Sequence, residues 1–111
     1  MKIPEDAIIP EAKLTRYLLV IRPRNDKSKF LAQAGFTIEN HEDLIAALRQ
    51  LIKSNRATED RTDEYGTYYQ VKGLLQGING ITLKVVTVWL QRQIDQQFQF
   101  ITLIPNKEAE P

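Results

Sequence analysis

The 111-residue chain has no cysteine, which excludes a disulfide framework and a thiolate metal site and suits a reducing compartment. It has one histidine, His41, too few for the usual ligand set of an all-protein zinc centre. No metal or cofactor is therefore expected. No apolar run approaches a membrane span, and the start Met1-Lys2-Ile3-Pro4-Glu5-Asp6 lacks the apolar centre of a signal peptide. The expectation is a cytoplasmic protein with no membrane partner. There is no Gly-x-Ser-x-Gly and no Gly-rich phosphate loop, and neither Ser28 nor Ser54 has a histidine nearby in sequence. A formal charge of +1 argues against a strongly electropositive DNA-binding protein.

That average conceals a separation of charge. Residues 22–29 (Arg-Pro-Arg-Asn-Asp-Lys-Ser-Lys) carry four bases and one acid, whereas residues 59–64 (Glu-Asp-Arg-Thr-Asp-Glu) carry four acids and one base. Each reads as a solvated segment, or, for the first, as a basic lip beside a cleft. The acidic stretch holds the densest group of carboxylates. Its exposed character would not support a raised pKa.

Length allows one domain over residues 1–105, large enough to bury about two thirds of its extended surface, followed by a polar tail, 106–111. Pro10 opens a first helix, with Leu14, Leu18 and Ile21 at helical spacing and Pro23 as its stop. Asn25 or Asp26 caps a short second helix ending at Gly35. Asn40 caps a third, in which Leu44, Ile45, Leu48, Leu51 and Ile52 form one apolar stripe ending near Asn55.

Beyond Asn55 the period changes from 3.6 to 2. Residues 56–64 suit only a charged edge strand, and residues 67–72 alternate between Gly66 and Gly73. Asn79-Gly80 is a strong hairpin signal, and a second turn falls near Ile94-Asp95-Gln96. The last two strands, residues 83–90 and 98–105, are apolar on both faces. The predicted fold is α+β: three N-terminal helices packed on one face of a four-stranded antiparallel meander. The other face would meet a substrate, a partner or water.

This inventory suits one reaction best, metal-free cleavage of RNA. There the 2′-hydroxyl is the nucleophile, and the protein positions phosphate, offsets charge and moves protons. Candidate phosphate or RNA contacts are Arg22, Arg24, Lys27, Tyr69 and Lys72, with Thr102 as a sheet-face hydroxyl. Thr87 and Thr102 also read simply as good strand formers, and the cations as a solvated helix connection.

Lys13-Leu14-Thr15-x-Tyr17-Leu18-Leu19, Lys27-x-Lys29-Phe30-Leu31, Gly35-Phe36, Gly66-Thr67-x-Tyr69-x-Val71-x-Gly73, Thr87-Val88-Trp89 and Ile101-Thr102-x-x-Pro105 occur in that order. Together they resemble a bacterial family of unknown function. Its members stand alone, often in cyanobacteria, or form C-terminal domains of toxin-like proteins. In layout that family is similar to the barnase, EndoU, colicin and RelE-type ribonuclease superfamily. The resemblance implies phosphate binding by Lys27 and an active-face role for Thr102, the two catalytic candidates.

Three departures weaken the implied catalysis. Members of the resembled family often have histidine where this chain has Arg22, and arginine where it has Val86 and Gln99. The resemblance therefore implies a ribonuclease-like domain that binds RNA or cleaves it slowly, a catalytically degenerate copy. The alternative is a non-catalytic interaction module: a homodimer, or half of a toxin–antitoxin-like pair with a small cognate protein.

Overall fold

The change of period at Asn55 marks where helices give way to sheet. The structure, a computed structural model, describes residues 1–21, 23 and 27–107. Four strands form one antiparallel sheet in the order β1 (Ala57–Asp63), β2 (Gly66–Gln76), β3 (Thr82–Arg92), β4 (Phe98–Pro105). Asn79-Gly80 lies in the β2–β3 hairpin, with Gly80 at φ 87° and Asn79 Oδ1 accepting the Ile81 N–H at 3.1 Å. Gln96, at φ 62°, turns the chain between β3 and β4.

The helical part departs from three full helices. The longest segment is α3 (His41–Ser54), whose Leu44, Leu48, Leu51 and Ile52 are buried. Asn55 stops it by donating from Nδ2 to the Leu51 carbonyl at 2.9 Å. The first helical segment has one α-turn, α1 (Glu11–Lys13), which widens into a π-helical stretch, Leu14–Leu18. Pro10 precedes α1 with extended backbone instead of occupying its first turn. The wider turn, closed by Leu19 N–H on the Leu14 carbonyl at 2.9 Å, buries Leu14, Leu18 and Leu19 together. Ile21 is left 79% exposed. Val20 and Ile21 are β-branched and propagate helix poorly, so the segment ends before Pro23.

The second helix, α2 (Ser28–Ala32), is also short; its expected caps, Asn25 and Asp26, lie outside the described residues. Gly35 follows it at φ 89°. Gly35 N–H bonds the Ala32 carbonyl and Phe36 N–H the Leu31 carbonyl, the paired bonds of a Schellman turn. Asn40 does not cap α3. Its Oδ1 accepts the Thr37 N–H at 2.7 Å, closing a capping box on the 3-10 turn Ile38–Asn40, and its Nδ2 donates to the Gly35 carbonyl at 2.8 Å.

The inner face of the sheet carries Val71, Leu75, Val85, Trp89, Phe100 and Leu103, all buried with the α3 stripe in one core. Trp89 and Phe100 meet edge to face at 5.2 Å. At Gly73 a β-carbon would lie 2.6 Å from Asn55 Nδ2, so a side chain there would displace the amide that ends α3. Residues 1–9 strap this layer together. Met1 carbonyl accepts the Ala57 N–H, Arg49 donates to the Glu5 and Ala7 carbonyls, and Ile8 pairs in parallel with Gln99 on the β4 edge. Among the described residues no helix is long and apolar enough to cross a membrane.

Candidate functional site

Successive strand residues face opposite sides, so register sorts the sheet. The inner rows include Tyr69–Trp89–Phe100 and Val71–Thr87–Leu103. The outer rows are Arg61–Tyr68–Leu90–Gln99, Thr58–Gln70–Val88–Thr102 and Lys72–Val86–Ile104, with Leu74 opposite Lys84 beyond them.

Simple alternation from buried Phe98 and Phe100 would turn Thr102 inward. A register shift in β4 prevents this: Trp89 pairs with Phe100, but Val88 pairs with Thr102. Ile101 is the extra residue of a β-bulge. It leaves Phe100 and Leu103 buried and turns Thr102 to the outer face.

Lys27, the residue before α2, reaches Thr102 from the sheet edge. Its Nζ donates to Thr102 Oγ1 at 2.9 Å across 75 residues of sequence. The hydroxyl in turn lies 3.4 Å from the Leu103 carbonyl. Both groups are half-buried, and burial holds the Lys27 pKa below its ordinary value by disfavouring the ammonium form. The Lys27 ammonium spends one N–H on Thr102 and has others to offer beside it, an arrangement able to hold an anionic oxygen.

The other candidates fall in three places. Lys72 is exposed on the outer face, one row from Thr102. Tyr69 is on the inner face, its ring 5.6 Å from Phe98 and its hydroxyl donating to Gln91 Oε1 at 3.5 Å, so it does not join Lys27 and Thr102. Arg22 and Arg24 lie outside the described residues. Thr87 is structural: its buried hydroxyl donates to the Val71 carbonyl at 2.9 Å and accepts Trp89 Nε1–H at 2.8 Å.

The sequence reading did not single out Gln70 and Val88, which complete the Thr102 row, or Arg92, which lies further along the same face. The hairpin at Asn79-Gly80 fixes their common parity; only the bulge was needed to add Thr102. At that end of the face Arg61 stacks over Tyr68 at 3.9 Å and pairs with Asp63 at 3.1 Å. Arg92 pairs with Asp95 at 2.7 Å.

His41 is remote from this pair in its contacts. Nδ1 bonds the Ile38 carbonyl at 3.0 Å and Nε2 meets the Glu11 carboxylate. Among the described residues no group of three or more His, Cys, Asp or Glu is placed to hold a metal ion.

These features define an α+β domain with its helices ahead of a four-stranded antiparallel meander and a Lys–Thr pair at one sheet edge. Residues 2–107 match the domain of unknown function DUF6883, and the chain belongs to that family. Among curated proteins none matches the sequence. A solved chain from the "Contact-dependent growth inhibition toxin - immunity protein complex from Klebsiella pneumoniae 342" is similar in fold. Its TM-score is 0.69 and its identity 20%, covering 93% of this chain and 96% of that one.

Proposed function

We propose that this chain is a ribonuclease-like, toxin-type domain that binds RNA at the Lys27–Thr102 pair and cleaves it slowly, without metal. The single observation that carries the reading is the 2.9 Å contact between Lys27 Nζ and Thr102 Oγ1. The contact joins two distant motifs whose resemblance to toxin-like proteins suggested these roles, and the fold shared with a chain of a toxin–immunity complex supports it. In this reading a phosphate oxygen takes the place between the ammonium and the hydroxyl. Lys27 neutralises charge developing on the phosphoryl oxygens while the RNA 2′-hydroxyl attacks phosphorus, its proton passing to water, and the P–O5′ bond breaks to leave a 2′,3′-cyclic phosphate. A lysine with a depressed pKa also gives up its proton more readily to a leaving oxygen.

Nothing equivalent to a neutral-pH base touches the pair among the described residues, because His41 is engaged by Glu11 and Ile38. Binding is therefore the primary activity and cleavage the weaker one. Incubation of purified protein with total RNA in EDTA, beside Lys27→Ala and Thr102→Val, tests this. Salt-sensitive RNA binding lost in both variants is expected; no binding and no cleavage by the parent protein would remove the reading.

A second reading is a partner-binding module. It is favoured by one observation on the same face, the exposure of two large aliphatic side chains, Leu74 and Ile104.

A further inference from the structure

The geometry points to a docking surface for an acidic protein partner at the outer face beside the Lys27–Thr102 pair, placed so that its occupant covers that pair. The covering role rests on the RNA-binding reading; the surface itself does not.

Two adjoining rows build the patch. Lys72, Val86 and Ile104 lie side by side across β2, β3 and β4, and Leu74 lies opposite Lys84 in the next row. Leu74 is 52% and Ile104 43% exposed, unusual for aliphatic strand residues, and both lysines are exposed beside them. Strands β2, β3 and β4 contain no aspartate or glutamate at all, yet carry Lys72, Lys84 and Arg92. The acids of the sheet are confined to β1, in Glu59, Asp60 and Asp63. The Lys72–Lys84 end of this face is thus basic around an aliphatic centre, whereas Arg92 at the other end is paired with Asp95.

Three occupants can be weighed by chemistry. RNA uses cations for its phosphates but stacks its bases on aromatic rings; the exposed apolar groups here are Leu74 and Ile104, which offer no ring. A second copy meeting this patch about a two-fold axis would bring four lysines into one interface with no carboxylate from β2, β3 or β4 to offset them. A protein with carboxylates around aliphatic anchors satisfies both features, since such interfaces put apolar side chains at the centre and complementary charge around them. Ile104 follows Thr102 by two residues on the same face, about 7 Å along the strand. A partner seated on Ile104 therefore overlies Thr102 and excludes RNA from it.

The test titrates ¹⁵N-labelled protein with three probes. These are an amphipathic peptide with leucines on one side and glutamates flanking them, the same peptide with lysine for glutamate, and a uridine oligonucleotide. The acidic peptide should shift amides around Leu74, Lys84 and Ile104 and displace the oligonucleotide. Its binding should weaken about tenfold in Leu74→Asp and in Lys72→Glu/Lys84→Glu. These positions are exposed, so their variants should keep the wild-type amide spectrum elsewhere. Lys27→Ala should lose the oligonucleotide yet keep the peptide, which separates failure of the RNA reading from failure of this one. The proposal is overturned if the acidic peptide leaves these amides unmoved. Equal binding by the basic peptide, shifts at Leu74 from the oligonucleotide alone, or a concentration-dependent dimer abolished by Leu74→Asp would overturn it equally.

Discussion

Lys27 Nζ rests 2.9 Å from Thr102 Oγ1, joining the start of α2 to a bulged edge strand. The pair stands on the sheet face away from the core because one extra residue, Ile101, separates Phe100 from Thr102. It also carries a cost, since burial disfavours the charged form of Lys27.

That cost sets the direction of the first prediction. The Lys27 pKa is lower in the folded than in the unfolded chain. The unfolded state therefore binds more protons between those two values, and stability rises with pH through that window below 10.5. Below the window the penalty is present in full. Thermal unfolding of Lys27→Met should match or exceed the parent at pH 7, with the parent gaining on it toward alkaline pH. A melting temperature lowered at pH 7 and independent of pH would show that Lys27 supports the fold.

Thr87 and Thr102 should behave oppositely. Thr87→Val strips the buried Trp89 indole N–H and the Val71 carbonyl of their side-chain partner. The expected loss is about 1–3 kcal/mol in urea unfolding. Thr102→Val, half-buried on the outer face, should unfold nearly as the parent does and lose anion binding. The two hydroxyls both sit mid-strand among β-formers and differ in face, burial and partners.

The bulge can be tested by deletion. Removing Ile101 returns β4 to simple alternation while leaving Phe100 and Leu103 facing the core and Thr102 outside. Removing Gln99 has no such compensation, because it breaks the alternation that buries both Phe98 and Phe100. Circular dichroism melts should show a folded chain for the Ile101 deletion and a much less stable one for the Gln99 deletion.

His41 gives a second pH dependence with the other sign. Both of its ring nitrogens face acceptors, the Ile38 carbonyl and the Glu11 carboxylate, so only the imidazolium satisfies both. The bond to the Ile38 carbonyl, followed by that to Glu11, holds its pKa above the ordinary 6.5. The resulting stabilisation is complete below about pH 6.5 and fades as pH rises through the folded value. Denaturation of the parent and of Glu11→Gln should differ more at pH 5.5 than at pH 8.5. An equal difference at both would show that the contact does not depend on protonation.

How much of this was legible beforehand varies with how local each signal is. The α3 stripe, Gly35 and Asn79-Gly80 act through spacing or backbone freedom at one place, and the observed elements follow them. The antiparallel meander follows from the same turns. Asn40 misled because its side chain serves the preceding 3-10 turn instead of the helix it adjoins. The first helix is shorter than its leucine spacing predicts because a π-turn changes which leucines face the core, an adjustment made by tertiary packing. Thr102 could be suspected from its residue type, but its face could not be counted: Phe-Gln-Phe-Ile-Thr-Leu-Ile reads as unbroken alternation unless the bulge is known. Tyr69 shows the same limit, since its neighbour Tyr68 is the tyrosine that faces outward.

The most direct test of the central claim is fluorescence anisotropy of a labelled uridine oligonucleotide against salt, with the parent protein and Lys27→Met. The parent should bind with an affinity that falls steeply as salt rises. Lys27→Met should bind about tenfold or more weakly at low salt, with the slope of log affinity against log salt reduced by about one phosphate contact. An oligonucleotide that the parent does not bind at low salt, or that both proteins bind with the same affinity and slope, would contradict the assignment of Lys27 and Thr102 as the RNA phosphate site.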